Sequence, residues 1–125
     1  MPTVKDSLKD RLARYRQITL TVTGRQSGRR ISRPVWFVLE GSDTLWLLPV
    51  QGSDTQWYKN VLRNPKIRIS ARGEEGSFQG KPIREPEIVQ HAVEAFRAKY
   101  GADDVKKYYS KFDVAVQIDL TRSVT

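Results

Sequence analysis

The sequence predicts a mainly β protein with short helices, in which six antiparallel strands form a closed or split barrel. Three observations support this fold class: short segments rich in β-branched residues, turn signals that join most neighbouring segments as hairpins, and few segments with helical spacing. The predicted order after the first helix is βββ-α-ββ-α-β, which disfavours a parallel α/β fold. The chain of 125 residues has the usual size of one domain, so we expect a single domain over residues 1–125.

The first predicted element is an amphipathic helix over residues 4–16, within an N-terminal segment of residues 1–17. Its apolar residues recur at helical spacing with basic residues between them: Val4, Leu8, Leu12 and Tyr15. A basic amphipathic helix can also contact a membrane, but so few apolar residues make a weak anchor. We therefore expect this helix to pack on the body of the protein.

Three strands are predicted next. They lie at 18–23, 31–39 and 45–50, with a loop at 40–44 between the last two. In the first strand, isoleucine, leucine and valine alternate with threonines, and this period of two is typical of a half-buried strand. Pro34 lies early in the second strand, where an edge or a bulge tolerates a residue without an N–H.

The second half of the chain continues with helices and strands in alternation. The predicted elements are a helix at 56–63, strands at 66–72 and 77–83 around a turn at 73–76, a helix at 86–100, a helical turn from Asp103 or Asp104 to Tyr109, and a strand at 112–120. Asp54 or Thr55 can cap the first of these helices. Pro86 and Gly101 mark the start and the end of the long helix, because proline suits the first turn and glycine suits the residue after the last.

Charge and cysteine content limit the classes of function. The chain has 22 Lys and Arg against 14 Asp and Glu, and the formal charge of +8 favours anionic partners. The lack of cysteine excludes disulfides, thiolate metal sites and cysteine nucleophiles. No apolar run approaches the roughly 20 residues of a membrane span, and the first residues have no signal-peptide core. We therefore expect a cytoplasmic protein with no membrane span.

Basic residues concentrate in two parts of the chain. The first group is Arg25, Arg29, Arg30 and Arg33, and the second is Lys59, Arg63, Lys66, Arg68 and Arg72. For any single arginine, a solvated surface is as good an interpretation as an anion site. Nucleic acid would suit the charge, but the sequence has neither a recognition helix nor a stacking-sheet signature, so we expect no nucleic-acid partner.

Side chains that perform chemistry by themselves are few. The single histidine, His91, lies in the middle of the helix at 86–100, and no cysteine or second histidine joins it, so we expect no metal site. The acidic pairs at 74–75 and 103–104 lie at a turn and at a helix start, where local structure explains them. If the protein is an enzyme, the reactive atoms therefore belong to a cofactor that the protein binds and orients.

Two loops have the composition of phosphate-binding turns. Residues 23–28, TGRQSG, form a glycine-flanked turn with exposed amides and an arginine, and residues 51–55, QGSDT, lead into a helix N-terminus. Such loops are often plain connectors, but two of them at the ends of neighbouring strands would meet at one rim of the sheet. Trp57 and Tyr58 follow the second loop and offer either an apolar wall or core residues.

Three segments together resemble a known family. LTVTGRQSGR at 20–29, RPVWFV at 33–38 and WYKNVLRNP at 57–65 resemble the deazaflavin-dependent nitroreductase family, a branch of the flavin-binding, pyridoxamine-phosphate-oxidase-like split barrels. The resemblance covers residues 20–69 and extends more loosely to the last strand. It implies a six-stranded antiparallel split β-barrel, usually a homodimer, that holds coenzyme F-420, or FMN in relatives. It also implies hydride transfer to a quinone, a nitroaromatic or another small electrophilic acceptor.

The resemblance further implies which residues bind. The cofactor's phosphate would lie near Arg25, Ser27 and Gly28, with Arg30 and Arg33 in reach; the ring would lie beside Pro34, Val35, Trp36, Pro49, Val50 and Gln51; Gly52 and Ser53 would add phosphate contacts. Trp57 would supply an apolar wall, and Tyr100 or Tyr108 would lie near the acceptor as the catalytic candidates. A non-enzymatic module that binds a flavin, haem or a lipid-like ligand is the alternative.

The tryptophans offer an independent argument for the homodimer. The chain has three of them: Trp36, Trp46 and Trp57. Together they present more large aromatic surface than one small barrel easily hides, so a second copy would help to cover it.

Overall fold

A computed structural model describes residues 12, 15–41, 43–71 and 73–124 of the protein. The strands are β1 (Gln17–Thr23), β2 (Arg30–Glu40), β3 (Thr44–Leu47), β4 (Lys66–Ala71), β5 (Glu74–Ile83) and β6 (Ala115–Ser123). The helices are α1 (Gln56–Arg63), α2 (Pro86–Tyr100) and α3 (Ala102–Tyr108), and a 3-10 turn at Gly52–Asp54 precedes α1. None of these helices is long and apolar enough to cross a membrane. The helix predicted over residues 4–16 lies largely outside the described residues, although Leu12 is helical and buried.

The six strands close into an antiparallel barrel in the order β1-β2-β3-β6-β5-β4. The pairs β1–β2, β2–β3 and β4–β5 are hairpins, as the sequence predicted. β1 also pairs with β4, and β6 lies between β3 and β5, which completes the circle. The predicted fold class is therefore confirmed.

Apolar side chains fill the interior of the barrel. The alternation in β1 brings Ile18, Leu20 and Val22 inward, and each is at most 3% exposed. Ile67 and Ile69 of β4 repeat the pattern on the neighbouring strand. Side chains alone can fill a barrel of so few strands. A ligand must therefore bind at the rim or on the outside.

A second apolar cluster lies outside the barrel, where α2 and α3 pack against it. Trp46 of β3 and Phe96 of α2 belong to this cluster, and both are buried. Pro86 begins α2 and Gly101, at φ +95°, follows its last residue, as predicted. The packing brings the C-terminal end of α2 against the middle of β2.

Several predicted boundaries differ from the structure, and at the end of β3 and the start of β6 the reason is that distant segments pair with each other. β3 ends at Leu47, where its pairing with β2 and β6 also ends. β6 begins only at Ala115, because the preceding segment bonds to the loop after β3: the Ser110 N–H donates to the Val50 carbonyl, 2.9 Å away. β5 begins already at Glu74, so the turn before it is shorter than residues 73–76.

The three tryptophans find apolar surroundings within a single chain. Trp46 is 3% exposed and Trp57 is 6% exposed. The ring of Trp36 stacks on that of Tyr100, with centroids 4.2 Å apart. A single chain thus buries Trp46 and Trp57, whereas Trp36 stays half-buried, and the homodimer remains a prediction.

Candidate functional site

A groove of about 690 Å³ opens at the rim of the barrel, between β2 and the segment that joins β3 to α1. Its lining consists of Gln17, Arg33, Pro34, Val35, Trp36, Leu48, Val50, Thr55, Gln56, Trp57, Tyr108 and Tyr109. Most of these side chains are apolar or aromatic, and Arg33 is the one cation among them. A groove of this size and character suits a flat, cofactor-sized molecule.

The groove exists because β2 extends beyond its neighbour β3. Residues 30–36 of β2 pair with β1, whereas pairing with β3 begins only at Phe37. Pro34 lies in this half of the strand, where its missing N–H interrupts no ladder on the side of β3. The edge of residues 30–36 that faces away from β1 is therefore unpaired and forms one wall of the groove. The chain from Leu48 to Trp57 forms the opposite wall.

A smaller hollow of about 230 Å³ adjoins the groove. It is lined by Gly24, Arg25, Gln26, Ser27, Ile31, Arg33, Gln56, Trp57 and Asn60. Arg33, Gln56 and Trp57 line both spaces, so the hollow and the groove are continuous. The structure therefore brings the TGRQSG turn to the end of an apolar groove.

The backbone of this turn is closed on itself. The Gly24 N–H donates to the Arg29 carbonyl at 2.8 Å, and the Gly28 N–H donates to the Gly24 carbonyl at 3.0 Å. The Arg29 N–H donates to the Ser27 hydroxyl oxygen at 3.1 Å. Several amides that the sequence suggested for a phosphate are therefore already bonded. The side chains of Arg25 and Arg33 are the two guanidinium groups that line the hollow.

Helix α1 holds Arg25 in place. The Arg25 guanidinium donates to Asn60 Oδ1 at 2.8 Å and to Gln56 Oε1 at 2.7 Å, and its backbone N–H donates to Asn60 Oδ1 at 3.1 Å. Gln56 and Asn60 lie one turn apart and hence on one face of α1. Asn60 is only 4% exposed. The sequence did not indicate either amide as a site residue, although Asn60 belongs to the motif at 57–65 and Gln56 lies one helical turn before it.

The second predicted phosphate loop is bound to a carboxylate of the chain itself. The Ser53 N–H donates to Asp113 Oδ1 at 2.9 Å, and the Ser53 hydroxyl donates to Oδ2 at 2.5 Å. Burial raises the pKa of Asp113, but the bonds from Ser53 and the charge of Lys111 outweigh it and hold the pKa below its usual value. A phosphate could contact Ser53 only by displacing Asp113.

Tyr100 lies one layer below the groove. Its hydroxyl accepts a bond from the Phe37 N–H at 3.0 Å and lies 2.6 Å from the Arg16 carbonyl and 2.8 Å from that of Phe37, either of which can accept its proton. Burial raises the pKa of Tyr100 to about 12. Burial and then the charge of Arg16 lower the pKa of the neighbouring Lys99 to about 8. The Tyr100 ring stacks on the ring of Trp36 and so supports the wall of the groove that Trp36 forms.

Tyr108 is the tyrosine that faces the groove. Its side chain is 51% exposed, and its ring meets that of Trp36 edge-on with centroids 5.5 Å apart. Tyr109 also lines the groove but is buried, and burial followed by the nearness of Tyr100 raises its pKa. Tyr108 therefore offers an accessible hydroxyl to a bound molecule.

The structure brings together about half of the residues suggested by the sequence. Nine of them line the groove or the hollow: Arg25, Ser27, Arg33, Pro34, Val35, Trp36, Val50, Trp57 and Tyr108. The lining of the two spaces does not include Gly28, Arg30, Pro49, Gln51, Gly52, Ser53 or Tyr100. Tyr58, which the sequence left as wall or core, is fully buried in the core.

The histidine lies elsewhere on the molecule. His91 is hydrogen-bonded to Glu40 and packs edge-on against Trp46, on the outer face of the barrel. Over the described ranges, no group of three or more His, Cys, Asp or Glu is arranged to hold a metal ion.

Several solved structures share this fold. An F420-H2 dependent reductase (FDR-A) aligns with a TM-score of 0.64 and 17% identity, over 83% of this chain and 94% of that one. A candidate pyridoxamine 5'-phosphate oxidase from Listeria innocua aligns with a TM-score of 0.68 and 15% identity, over 98% of this chain and 95% of that one. The heme storage protein HutZ from Vibrio cholerae aligns with a TM-score of 0.66 and 10% identity, over 94% of this chain and 90% of that one. At these identities the likeness shows the fold alone.

A comparison of sequences identifies the family. No curated protein matches the chain. A family model of F420H(2)-dependent quinone reductases matches residues 4–120, which include the groove, the hollow and both loops. The match confirms the resemblance carried by the three motifs, and it makes the protein an oxidoreductase. The chain belongs to the F420H(2)-dependent quinone reductase family.

Proposed function

We propose that the protein binds reduced coenzyme F-420 in the groove and reduces a quinone or a similar electrophilic small molecule. The family supports an oxidoreductase that depends on the reduced deazaflavin. The observation that carries the proposal is the continuity of an apolar groove with a hollow that contains Arg25 and Arg33. A ligand with a flat ring and an anionic side chain fits both spaces at once.

The residues present suit such a ligand. Pro34, Val35 and Trp36 offer one apolar wall to a ring, and Val50 and Trp57 offer the other. The phosphate of the ligand would be held by the guanidinium groups at the far end, since arginine matches phosphate geometry with several donors. FMN has the same combination of ring and phosphate and is the alternative cofactor.

The chain's own residues would orient and shield the reactants. When bound, the reduced deazaflavin supplies a hydride; a quinone that receives it also takes up one proton and becomes a hydroquinone. The apolar walls exclude water from this transfer. The Tyr108 hydroxyl would donate a hydrogen bond to the acceptor oxygen and pass it the proton, and water would return a proton to the phenol. Tyr100 is a positioning residue, because it acts through the ring of Trp36.

A homodimer and a cytoplasmic location belong to the same proposal. The dimer follows from the family resemblance and the location from the composition, and exposed apolar side chains such as Leu62 and Ile88 are available for a contact between copies. Light scattering should give twice the 14.4 kDa of the chain, and a monomeric mass would contradict the dimer.

The alternative is a module that binds a flavin, haem or a lipid-like ligand without turnover. It is favoured by the lining of the groove, where the described residues include no histidine, aspartate, glutamate or lysine that could act as a general acid or base. Haem held by an imidazole does not fit, because His91 is paired with Glu40 outside the groove. Tight binding without oxidation of F-420 by quinones would support this alternative.

The test is a titration of the protein with F-420 and with FMN, followed by fluorescence. At least one should bind with Kd below roughly tens of micromolar, and reversal of charge in Arg25→Glu and Arg33→Glu should abolish binding. Lys81→Glu, on β5 away from the groove, makes the same charge change and should bind normally. Addition of a quinone to the protein with reduced F-420 should then restore the absorbance of the oxidised cofactor. Failure of both cofactors to bind, or unchanged binding in the Arg25 and Arg33 variants, would sink the proposal.

A further inference from the structure

The partners of Arg25 differ in kind from those of Arg68 and Arg97. Arg68 pairs with Glu75 at 3.3 Å and Arg97 pairs with Glu94 at 2.6 Å, so each of these cations meets a carboxylate. The Arg25 guanidinium instead donates to two neutral oxygens, those of Gln56 and Asn60. In the described part of the chain, no carboxylate is paired with it.

This difference decides how much charge Arg25 can offer. A carboxylate partner would fix the guanidinium but also cancel its charge, as expected for an ion pair that only stabilises the fold. An amide oxygen fixes the same group by a hydrogen bond and leaves the full positive charge in place. Two such bonds use only part of the donor fork of an arginine, and the remaining N–H groups stay available to an anion.

Asn60 is the buried anchor of Arg25, and the exposed Gln56 adds a second bond from the same helix. Asn60 is 4% exposed, and its Oδ1 also accepts the backbone N–H of Arg25 at 3.1 Å, so main chain and side chain of Arg25 are fixed by one atom. Gln56 lies one turn earlier on the same face of the helix and accepts from the other terminal nitrogen. Side-chain entropy that a free arginine would lose on binding an anion is therefore already lost in the folded protein.

We propose that Gln56 and Asn60 are positioning residues that direct Arg25 at the anionic group of the ligand without neutralising it. The inference rests on the proposed cofactor site. It adds Gln56 and Asn60 to the arginines and glycines that the sequence suggested for that site.

The test is a double-mutant cycle on the full-length protein. Gln56→Glu keeps an acceptor oxygen at 2.7 Å from the guanidinium but makes it a carboxylate. We expect about a tenfold loss of affinity for F-420 or FMN, a weaker dependence of the affinity on salt, and an unchanged or higher melting temperature. In an Arg25→Met background, where the cation is absent, the same Gln56→Glu change should alter affinity less than about twofold.

The cycle separates positioning from direct repulsion. Gln56 lines the hollow, so a glutamate there that repelled the ligand by itself would lower affinity equally in both backgrounds, and that result would overturn the proposal. Unchanged affinity in Gln56→Glu would also overturn it, as expected if the pair only stabilises the fold. Gln79→Glu adds the same charge on β5, at an exposed position away from the hollow, and should leave affinity unchanged.

If neither cofactor binds the wild type, the proposed function is refuted but the role of the amide pair is not. A second measurement then tests that role. Inorganic phosphate is then added to 15N-labelled protein. The backbone amide signals of residues 24–28 should shift in the wild type and should not shift in Gln56→Glu. Absence of a shift in the wild type, or the same shift in both proteins, would overturn the role of the amide pair.

Discussion

At the scale of single residues, the two tyrosines proposed for catalysis have different surroundings. Tyr100 is 5% exposed, and its hydroxyl is bonded to the backbone of Phe37. Tyr108 is 51% exposed and lines the groove. A buried hydroxyl with backbone partners stabilises the fold, whereas an exposed hydroxyl is free to form a hydrogen bond with a bound ligand. The sequence could not separate the two, because both lie in helical segments with similar neighbours.

The pair Tyr100→Phe and Tyr108→Phe tests this assignment. Removal of the Tyr100 hydroxyl leaves the buried Phe37 N–H without its acceptor, so the free energy of unfolding should fall by about 1–3 kcal/mol. Removal of the Tyr108 hydroxyl should change it by less than about 0.5 kcal/mol and should instead slow quinone reduction. Urea denaturation and steady-state kinetics measure the two effects. Equal stability losses in both variants would refute the distinction.

At the scale of elements, the loop after β3 and the segment before β6 form one unit. The Ser110 N–H bonds to the Val50 carbonyl, Gln51 pairs with Lys111, and Ser53 bonds to Asp113. This unit ends β3 early and delays β6, so it sets the length of the open side of the barrel. Gly52 lies at its centre with φ +55°, and a Cβ there would lie 2.1 Å from Asp113 Oδ1.

Gly52→Ala therefore tests the unit. The variant must adopt a left-handed conformation and also displace Asp113, so we expect a loss of about 2–4 kcal/mol in the free energy of unfolding. Gly73→Ala is the matched control, because Gly73 also has a positive φ, of +91°, but an added Cβ meets nothing within 4 Å. It should cost only about 1 kcal/mol. Thermal or urea denaturation compares the two, and equal costs would show that contact with Asp113 adds nothing.

At the scale of the whole molecule, the residues that stabilise the fold and the residues proposed to bind the ligand lie in different regions. The barrel interior is a closed apolar core, and the groove and hollow lie on its rim. The core includes Leu20, Phe37 and Ile69, each at most 1% exposed. A change inside the barrel should therefore alter stability and leave binding intact, and a change at the rim should do the reverse.

Ile69→Ala and Arg33→Glu test this separation. Ile69 is fully buried, and its truncation should cost about 2–5 kcal/mol of stability while F-420 affinity, measured well below the melting temperature, changes less than about twofold. Arg33→Glu should show the opposite pattern, because Arg33 is exposed and lines both spaces. Loss of affinity in Ile69→Ala while the protein is still folded would indicate that the ligand enters the barrel.

The sequence alone determined the strands, their hairpins and the family, because these depend on local alternation, turn chemistry and contiguous motifs. Arg25, Arg33, Trp36 and Trp57, which lie in or beside those motifs, line the groove or the hollow, and their contacts with a cofactor stay a prediction. Only the tertiary structure decided which donors remain available. The contact between Arg25 and Asn60 joins residues 35 positions apart, and that between Ser53 and Asp113 joins residues 60 positions apart. Neither follows from local pattern, because each depends on how a helix or a strand end packs against a distant loop.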